Sequence, residues 1–231
     1  MVRVTAIVPA AGVGRRSGLA LPKQYAELAG RPLLWHTLAR LAEPAWIGRV
    51  LVALAVDDTH WRRHDWSDLG SKIEPLFCGG PTRSATVGNA LRVLAARGAR
   101  PDDWVLVHDA ARPCLRGEYL TQLAEVLGHD EVGGLLALPV ADTVKRADIR
   151  GRVAATVPRE GLWLAQTPQM FRFAVLRTAL ERHPEVTDEA SAVEAAGLAP
   201  KLVEGDPLNL KVTRPGDLAL AAAILRLQEE A

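Results

Sequence analysis

The sequence predicts an α/β protein built on a mainly parallel, twisted sheet with helices on both faces. Short apolar runs alternate with helical patterns from Val4 to Val140, as strand–helix–strand units require. The runs Val50–Val56 and Trp104–Val107 are apolar throughout rather than alternating, which suits strands covered on both faces. Glycine-rich or polar loops follow at strand ends, at 9–23, 78–86 and 108–113. Open parallel sheets bind ligands beyond the carboxyl ends of their strands, so three such loops converging there predict a nucleotide site.

The elements follow in order. Val4–Val8 reads as the first strand. Pro32 suits the first turn of a helix running to Glu43, with Leu33, Leu34, Thr37, Leu38 and Leu41 on one face. Residues 58–72 are polar and tryptophan-rich, and a solvated surface helix is expected there. His60 and His64 have the spacing of helical metal ligands, but no third ligand is near and Arg62 and Arg63 crowd the pair. Ile73–Phe77 is a strand, a helix covers Thr82 to Arg97, another covers 117–127, and Val132–Val140 is a strand.

There the alternation breaks. Residues 141–160 are polar, with a turn near Arg150-Gly151 and strand-like alternation after it, and read as a β-hairpin leaving the body. A lone hairpin is marginal. It is therefore expected to be a homodimer arm, the alternative being an excursion packed on its own subunit. Gln166-Thr167-Pro168-Gln169 reads as a turn before a helix at 172–182, and Thr187 as the N-cap of the next helix. Lys201–Val203 and Asn209–Val212 read as short strands, and Pro215–Gln228 as a closing helix with Leu218, Leu220, Ala221, Ile224 and Leu225 inward. No repeat or linker divides the chain, so 1–231 is expected to form one domain.

Bulk properties narrow the class. The 231 residues, 48% hydrophobic, suffice for a sizeable core. Lys and Arg total 28 against 27 acids, a net charge of +1, so no nucleic acid is expected as partner. Cys78 and Cys114 make neither a disulfide framework nor a zinc motif and fit a reducing compartment. No signal peptide and no membrane-length apolar run is visible, and a cytoplasmic protein is expected.

The loop after the first strand, Pro9-Ala10-Ala11-Gly12-Val13-Gly14, is made of small residues that let backbone N–H groups approach a phosphate. Arg15, Arg16 and Lys23 supply cations beside it. A dinucleotide fingerprint fits poorly, because position 17 is Ser and the acid at Asp57 comes too late. No Gly-Lys pair makes a P-loop. Lys211 lies in an otherwise apolar stretch, either as a strand-end anion site or as a solvated edge lysine. Asp109, at a strand end, suits Mg²⁺ or a sugar hydroxyl, the alternative being a helix N-cap.

These residues resemble a known family. Eight stretches keep its order: PAAGVGRR at 9–16, PKQY at 22–25, GGPTR at 79–83, VLVHDAARP at 105–113, PVADTVKR at 139–146, GLWLAQTPQMF at 161–171, TDEASA at 187–192 and LKVTRP at 210–215. They are similar to the 2-C-methyl-D-erythritol 4-phosphate cytidylyltransferases of the non-mevalonate isoprenoid pathway. The resemblance implies a Rossmann-like nucleotidyltransferase fold with a protruding β-arm. It also implies CTP and a polyol phosphate as substrates, Mg²⁺ as cofactor, and a homodimer.

By that resemblance Arg16, Lys23 and Lys211 act on the α-phosphate, and residues 15 and 16 cannot be told apart by sequence alone. Ala10, Ala11, Gly12, Gly14, Gly79, Gly80, Thr86 and Asp109 belong to the nucleotide site. Asp109, Arg112, Thr143, Arg159, Thr167 and Thr187 surround the polyol phosphate, with Thr143 and Arg159 delivered by the arm to the neighbouring subunit. The metal is held by the triphosphate, with Asp109 as the candidate protein ligand. Pro81 departs from the acidic residue common after the glycine pair, which removes a side-chain contact to the base. Some members are fused to a second enzyme, and this chain is expected to be monofunctional. The alternatives are a ribitol 5-phosphate cytidylyltransferase and a non-catalytic nucleotide-binding module.

Overall fold

A computed structural model describes residues 4–12 and 21–230. The central sheet has seven strands, β1 (Val4–Ala10), β4 (Ile47–Leu54), β5 (Ile73–Phe77), β6 (Trp104–Val107), β7 (Gly133–Pro139), β10 (Trp163–Arg172) and β11 (Lys201–Glu204), in the spatial order β11-β7-β10-β6-β1-β4-β5. All pair in parallel except β10, which runs antiparallel to both β6 and β7. The chain builds outward from β1 through β4 to β5 and then returns to β6 on the other side. The loops after β1 and β6 therefore diverge, and a crevice opens between them.

Strand alternation assigns side chains to two layers. Ala6, Val8 and Ala10 pack with α1 (Leu33–Ala42) and α3 (Gly117–Leu127), through Leu34, Leu38, Leu41, Leu120, Leu123 and Leu127. Ile7 faces the opposite way, toward α2 (Arg83–Ala96), α4 (Phe173–Arg182) and α5 (Glu189–Ala195). The closing helix α6 (Gly216–Glu229) buries Ala221, Ile224 and Leu225 against Leu28, Leu33, Cys114 and Val212. Each fully buried leucine contributes about 1.5–3 kcal/mol.

Several expectations are corrected. Residues 58–72 form no helix; two short 3₁₀ turns, Trp61–Arg63 and Ser67–Leu69, are held by Trp61 and Trp66 stacked at 4.2 Å. There His60 and His64 flank the Tyr25 ring at 5.3 and 5.5 Å. Among the described residues no three or more of His, Cys, Asp and Glu gather as a metal site would require. Val56 is exposed beyond the end of β4. Gln166–Gln169 is no turn but the middle of β10, at the point where its register with β7 shifts. The polar residues misled because Gln166, Thr167 and Gln169 are buried against polar partners rather than solvent. Thr187 is not the N-cap of α5; Asp188 is, accepting from Ser191 N. Asn209–Val212 is a loop, since Val212 N donates to Ala111 O at 2.8 Å instead of to a strand. Leu220 points out of α6. A small antiparallel pair, β2 (Glu27–Leu28) with β3 (Arg31–Pro32), was not foreseen.

The hairpin of 141–160 leaves the sheet as β8 (Val144–Ala147) and β9 (Val153–Val157), which pair only with each other. Its turn is closed by Asp148, whose Oδ1 accepts from Arg150 N and Arg152 N. Ile149 at the tip is fully exposed and Val153 largely so.

Candidate active site

Three loops meet at the carboxyl ends of β1, β5 and β6. The first begins with Ala11 and Gly12; Gly14, Arg15 and Arg16 lie outside the described residues. Its far end is the 3₁₀ turn Lys23–Tyr25. Gln24 Nε2 donates to Ala10 O at 2.7 Å and so ties the turn back to the end of β1. Lys23 Nζ donates to Val212 O at 2.6 Å, which brings this lysine beside the loop that carries Lys211.

The second loop is Cys78-Gly79-Gly80-Pro81-Thr82. A Cβ on Gly79 would lie 2.5 Å from Ala11 Cβ and 2.8 Å from Leu54 O, so only glycine lets this loop approach the first. Thr82 caps α2 by accepting from Ala85 N. Thr86 Oγ1 accepts from Gly80 N at 3.1 Å and donates to Thr82 O at 2.9 Å. Its hydroxyl proton is thus committed, and Thr86 shapes the glycine loop from within. Pro81 is exposed.

The third loop, 108–113, holds the charge. Asp109, 6% exposed, sits among three cations: Arg83 Nε at 2.8 Å on Oδ1, Lys211 Nζ at 2.6 Å on Oδ2, and Arg112 Nε at 4.0 Å. Burial alone would raise its pKa, but Arg83, Lys211 and Arg112 outweigh burial and hold the carboxyl well below its usual range. Both oxygens are engaged by cations, which leaves Asp109 a poor Mg²⁺ ligand in this arrangement. Arg112 is itself buried and donates to Asn209 O at 2.5 Å. Arg83 extends the cluster, its Nη1 reaching the fully buried Glu189 at 2.7 Å. Burial opposes the Arg83 charge, yet Glu189 and Asp109 more than restore it and hold the pKa above the ordinary value.

A chain of hydrogen bonds sits beneath. His108 Nε2 lies 3.1 Å from Arg112 O, a carbonyl that can only accept. The neutral ring therefore carries its proton on Nε2, and Nδ1 accepts from Thr167 Oγ1 at 3.0 Å. Thr167 Oγ1 in turn accepts from Asp109 N at 3.0 Å. Complete burial pulls the His108 pKa down to about 4, which keeps it neutral. Asn209 closes the ring, with Nδ2 donating to Thr167 O at 2.8 Å.

The structure thus gathers Asp109, Arg112, Thr167 and Lys211, with Lys23 nearby and the Gly79-Gly80 loop against Ala11. Thr187 is exposed at the approach to α5, its Oγ1 3.4 Å from Ser191 Oγ. Thr143 and Arg159 lie on the root of the hairpin, exposed, with Arg159 Nη1 bonded to Ala141 O. Sequence reasoning assigned no role to Arg83, Glu189 or His108. Glu189 carried a signal: with Ala192 and Val193 it makes an i, i+3, i+4 set on the buried face of its helix.

Glycine-built loops and clustered cations at the switch point of a mostly parallel sheet define a Rossmann-like α/β protein suited to binding a nucleotide's phosphates. Over residues 4–227 the chain matches the family model of 2-C-methyl-D-erythritol 4-phosphate cytidylyltransferase, and it belongs to that family. It is 61% identical over 229 residues to the enzyme of that name from Dechloromonas aromatica, covering 99% of this chain and 100% of the relative. The Azoarcus relative is 60% identical over 220 residues, 95% of this chain and 93% of its own. A crystal structure of 4-diphosphocytidyl-2C-methyl-D-erythritol synthase superposes with a TM-score of 0.86 at 40% identity, covering 97% of this chain and 99% of the other. The Francisella tularensis 2-C-methyl-D-erythritol 4-phosphate cytidylyltransferase superposes with a TM-score of 0.81 at 35% identity, over 96% and 99% of the two chains.

Proposed function

We propose that this enzyme transfers the cytidylyl group of CTP to 2-C-methyl-D-erythritol 4-phosphate, releasing pyrophosphate. The observation that carries the reading is the cation cluster of Arg83, Arg112 and Lys211 around Asp109, at the crevice and next to the glycine loops. A phosphate oxygen of the polyol phosphate attacks the α-phosphorus of CTP, a new P–O bond forms, and the bond to the β-phosphate oxygen breaks. The nucleophile arrives already ionised, so no general base and no covalent intermediate is needed. Positioning and charge stabilisation carry the rate.

Lys23 and Lys211 are assigned to the α-phosphate and its developing charge, with Arg16 as their partner. Ala10, Ala11, Gly12, Gly14, Gly79 and Gly80 supply backbone groups for the nucleotide, and Thr86 holds Gly80. Asp109, Arg112, Thr167 and Thr187 receive the polyol phosphate. Magnesium bound to CTP would neutralise phosphate charge and orient the triphosphate, with Lys23 and Lys211 supplying the protein's own cations beside it. The engaged oxygens of Asp109 favour that over a protein-held ion.

We infer a homodimer through the hairpin, a reading supported by the exposure of Ile149 and Val153 and by β8 and β9 pairing with no other described strand. In that dimer Thr143 and Arg159 complete the neighbour's site. The whole chain acts as one domain in the cytoplasm, a reading the unpaired thiols of Cys78 and Cys114 support. Among the described residues no helix is long and apolar enough to cross a membrane.

The test is pyrophosphate release with Mg²⁺, scanning four nucleoside triphosphates against methylerythritol phosphate and ribitol 5-phosphate. Release confined to CTP with methylerythritol phosphate is expected. Release with ribitol phosphate instead would replace the acceptor, and no release with any pair would remove the enzymatic reading.

A further inference from the structure

Four charged side chains alternate in sign across the crevice: Lys211, Asp109, Arg83 and Glu189, separated by 2.6, 2.8 and 2.7 Å. Each contact sets the next. Lys211 is 43% exposed on a flexible stem, and its ion pair to Asp109 Oδ2 directs the ammonium. Asp109 keeps that oxygen available because Arg83 Nε takes the other. Arg83 cannot rotate without breaking one of two bonds, since Nη1 is fixed on Glu189. Glu189 is 0% exposed, and its place at the start of α5 is set by Gln169, whose Oε1 accepts from Ala190 N and whose Nε2 donates to Asp188.

Packing alone does not call for such a pair. Glu189 Oε2 and Arg83 Nη2 are buried without hydrogen-bond partners among the described residues, and apolar side chains of similar volume would avoid that cost. What the ions supply is direction, because a guanidinium fork fixes the orientation of the carboxylates it joins.

We propose that Arg83 and Glu189 are positioning residues that aim Lys211 at the α-phosphate through Asp109. They also couple the nucleotide loop at the start of α2 to the Thr187 loop at the start of α5. The inference rests on the reading of Lys211 as a phosphate-binding lysine.

The experiment measures kcat, KM for CTP and melting temperature for the wild-type enzyme, Lys211→Met, Arg83→Met and the double variant Arg83→Met/Glu189→Gln. Arg83→Met alone leaves Glu189 buried without its cation, so a lowered melting temperature is expected. The double variant removes both charges and recovers stability. Its kcat is expected to stay at least about tenfold below wild type, with KM for CTP changed less than about threefold. A purely structural pair predicts the opposite, and recovery of kcat to within about threefold of wild type would overturn the proposal. Should the double variant fail to fold, Arg83→Lys decides. It keeps the charge but cannot hold both carboxylates in a fixed fork, and kcat should fall about tenfold at a near wild-type melting temperature; an unchanged kcat overturns the proposal. Lys211→Met separates the two layers. If it retains full turnover, the reading of Lys211 fails and takes the inference with it. If it is inactive while the double variant is fully active, only the positioning role fails.

Discussion

His108 offers a quantitative test of the buried network. It is 0% exposed, and burial lowers its pKa to about 4 from an ordinary value near 6.5. Below pH 6.5 the unfolded chain binds a proton at this residue that the folded chain refuses. Stability therefore falls with falling pH, through the window from about 6.5 down to about 4. Integrated from pH 7.5 to 5.0, the difference is about 2 kcal/mol from this residue alone. His36 and His64, also lowered by burial, act in the same direction, so the wild-type curve reports a sum. His108→Gln isolates the one contribution, because its amide retains a donor for Arg112 O while removing the titration. Urea denaturation at half-unit steps of pH gives the two curves. The variant should be less stable at pH 7.5, because a flexible amide does not reproduce the ring's fixed placement of donor and acceptor, yet its loss on acidification should be about 2 kcal/mol smaller. Parallel curves for the two proteins would refute the account of His108 as a neutral, buried acceptor.

Two more predictions concern the site. Lys23→Ala should lower kcat at least about a hundredfold, equivalent to about 3 kcal/mol of transition-state stabilisation, while CTP affinity measured by calorimetry weakens less than about tenfold; unchanged turnover would remove Lys23 from the chemistry. On the proposed arm-exchanged dimer, the Arg159→Ala and Lys211→Ala enzymes should each be nearly inactive, whereas subunit exchange between them should restore about a quarter of wild-type activity, since half of a random mixture is hybrid and each hybrid has one complete site. No restoration on mixing would mean that the arm serves its own subunit.

The sheet was legible because strands buried on both faces are apolar without interruption: Val50–Leu54 and Trp104–Val107 are buried residue by residue. The crevice was legible for a related reason. Glycines and polar residues directly after strands break the apolar pattern, and Gly79 and Gly80 after β5 and Asp109 after β6 stood out there. Where polarity met burial, the same logic failed. Gln166, Thr167 and Gln169 looked like a turn, yet Gln166 donates to Asp206 O, Thr167 accepts from Asp109 N and Gln169 accepts from Ala190 N, contacts that are all distant in sequence. Asn209–Val212 looked like a strand because Leu210 and Val212 make it apolar around Lys211, but Val212 N bonds to a loop carbonyl, Ala111 O.

The Arg83–Glu189 pair was the hardest to see, since its members lie 106 residues apart and each alone has an ordinary local explanation, a first-turn arginine and a first-turn glutamate. A physical constraint nevertheless links them. The spacing of Glu189, Ala192 and Val193 puts a carboxylate on the buried face of α5, and a buried carboxylate requires a cation. Asp109, at the end of a fully buried strand, makes the same demand. One arginine meeting both requirements must sit between the two loops, and Arg83, at the start of α2, is so placed. Charge balance across buried positions, considered along the whole chain rather than loop by loop, is thus the level at which this part of the site could have been inferred.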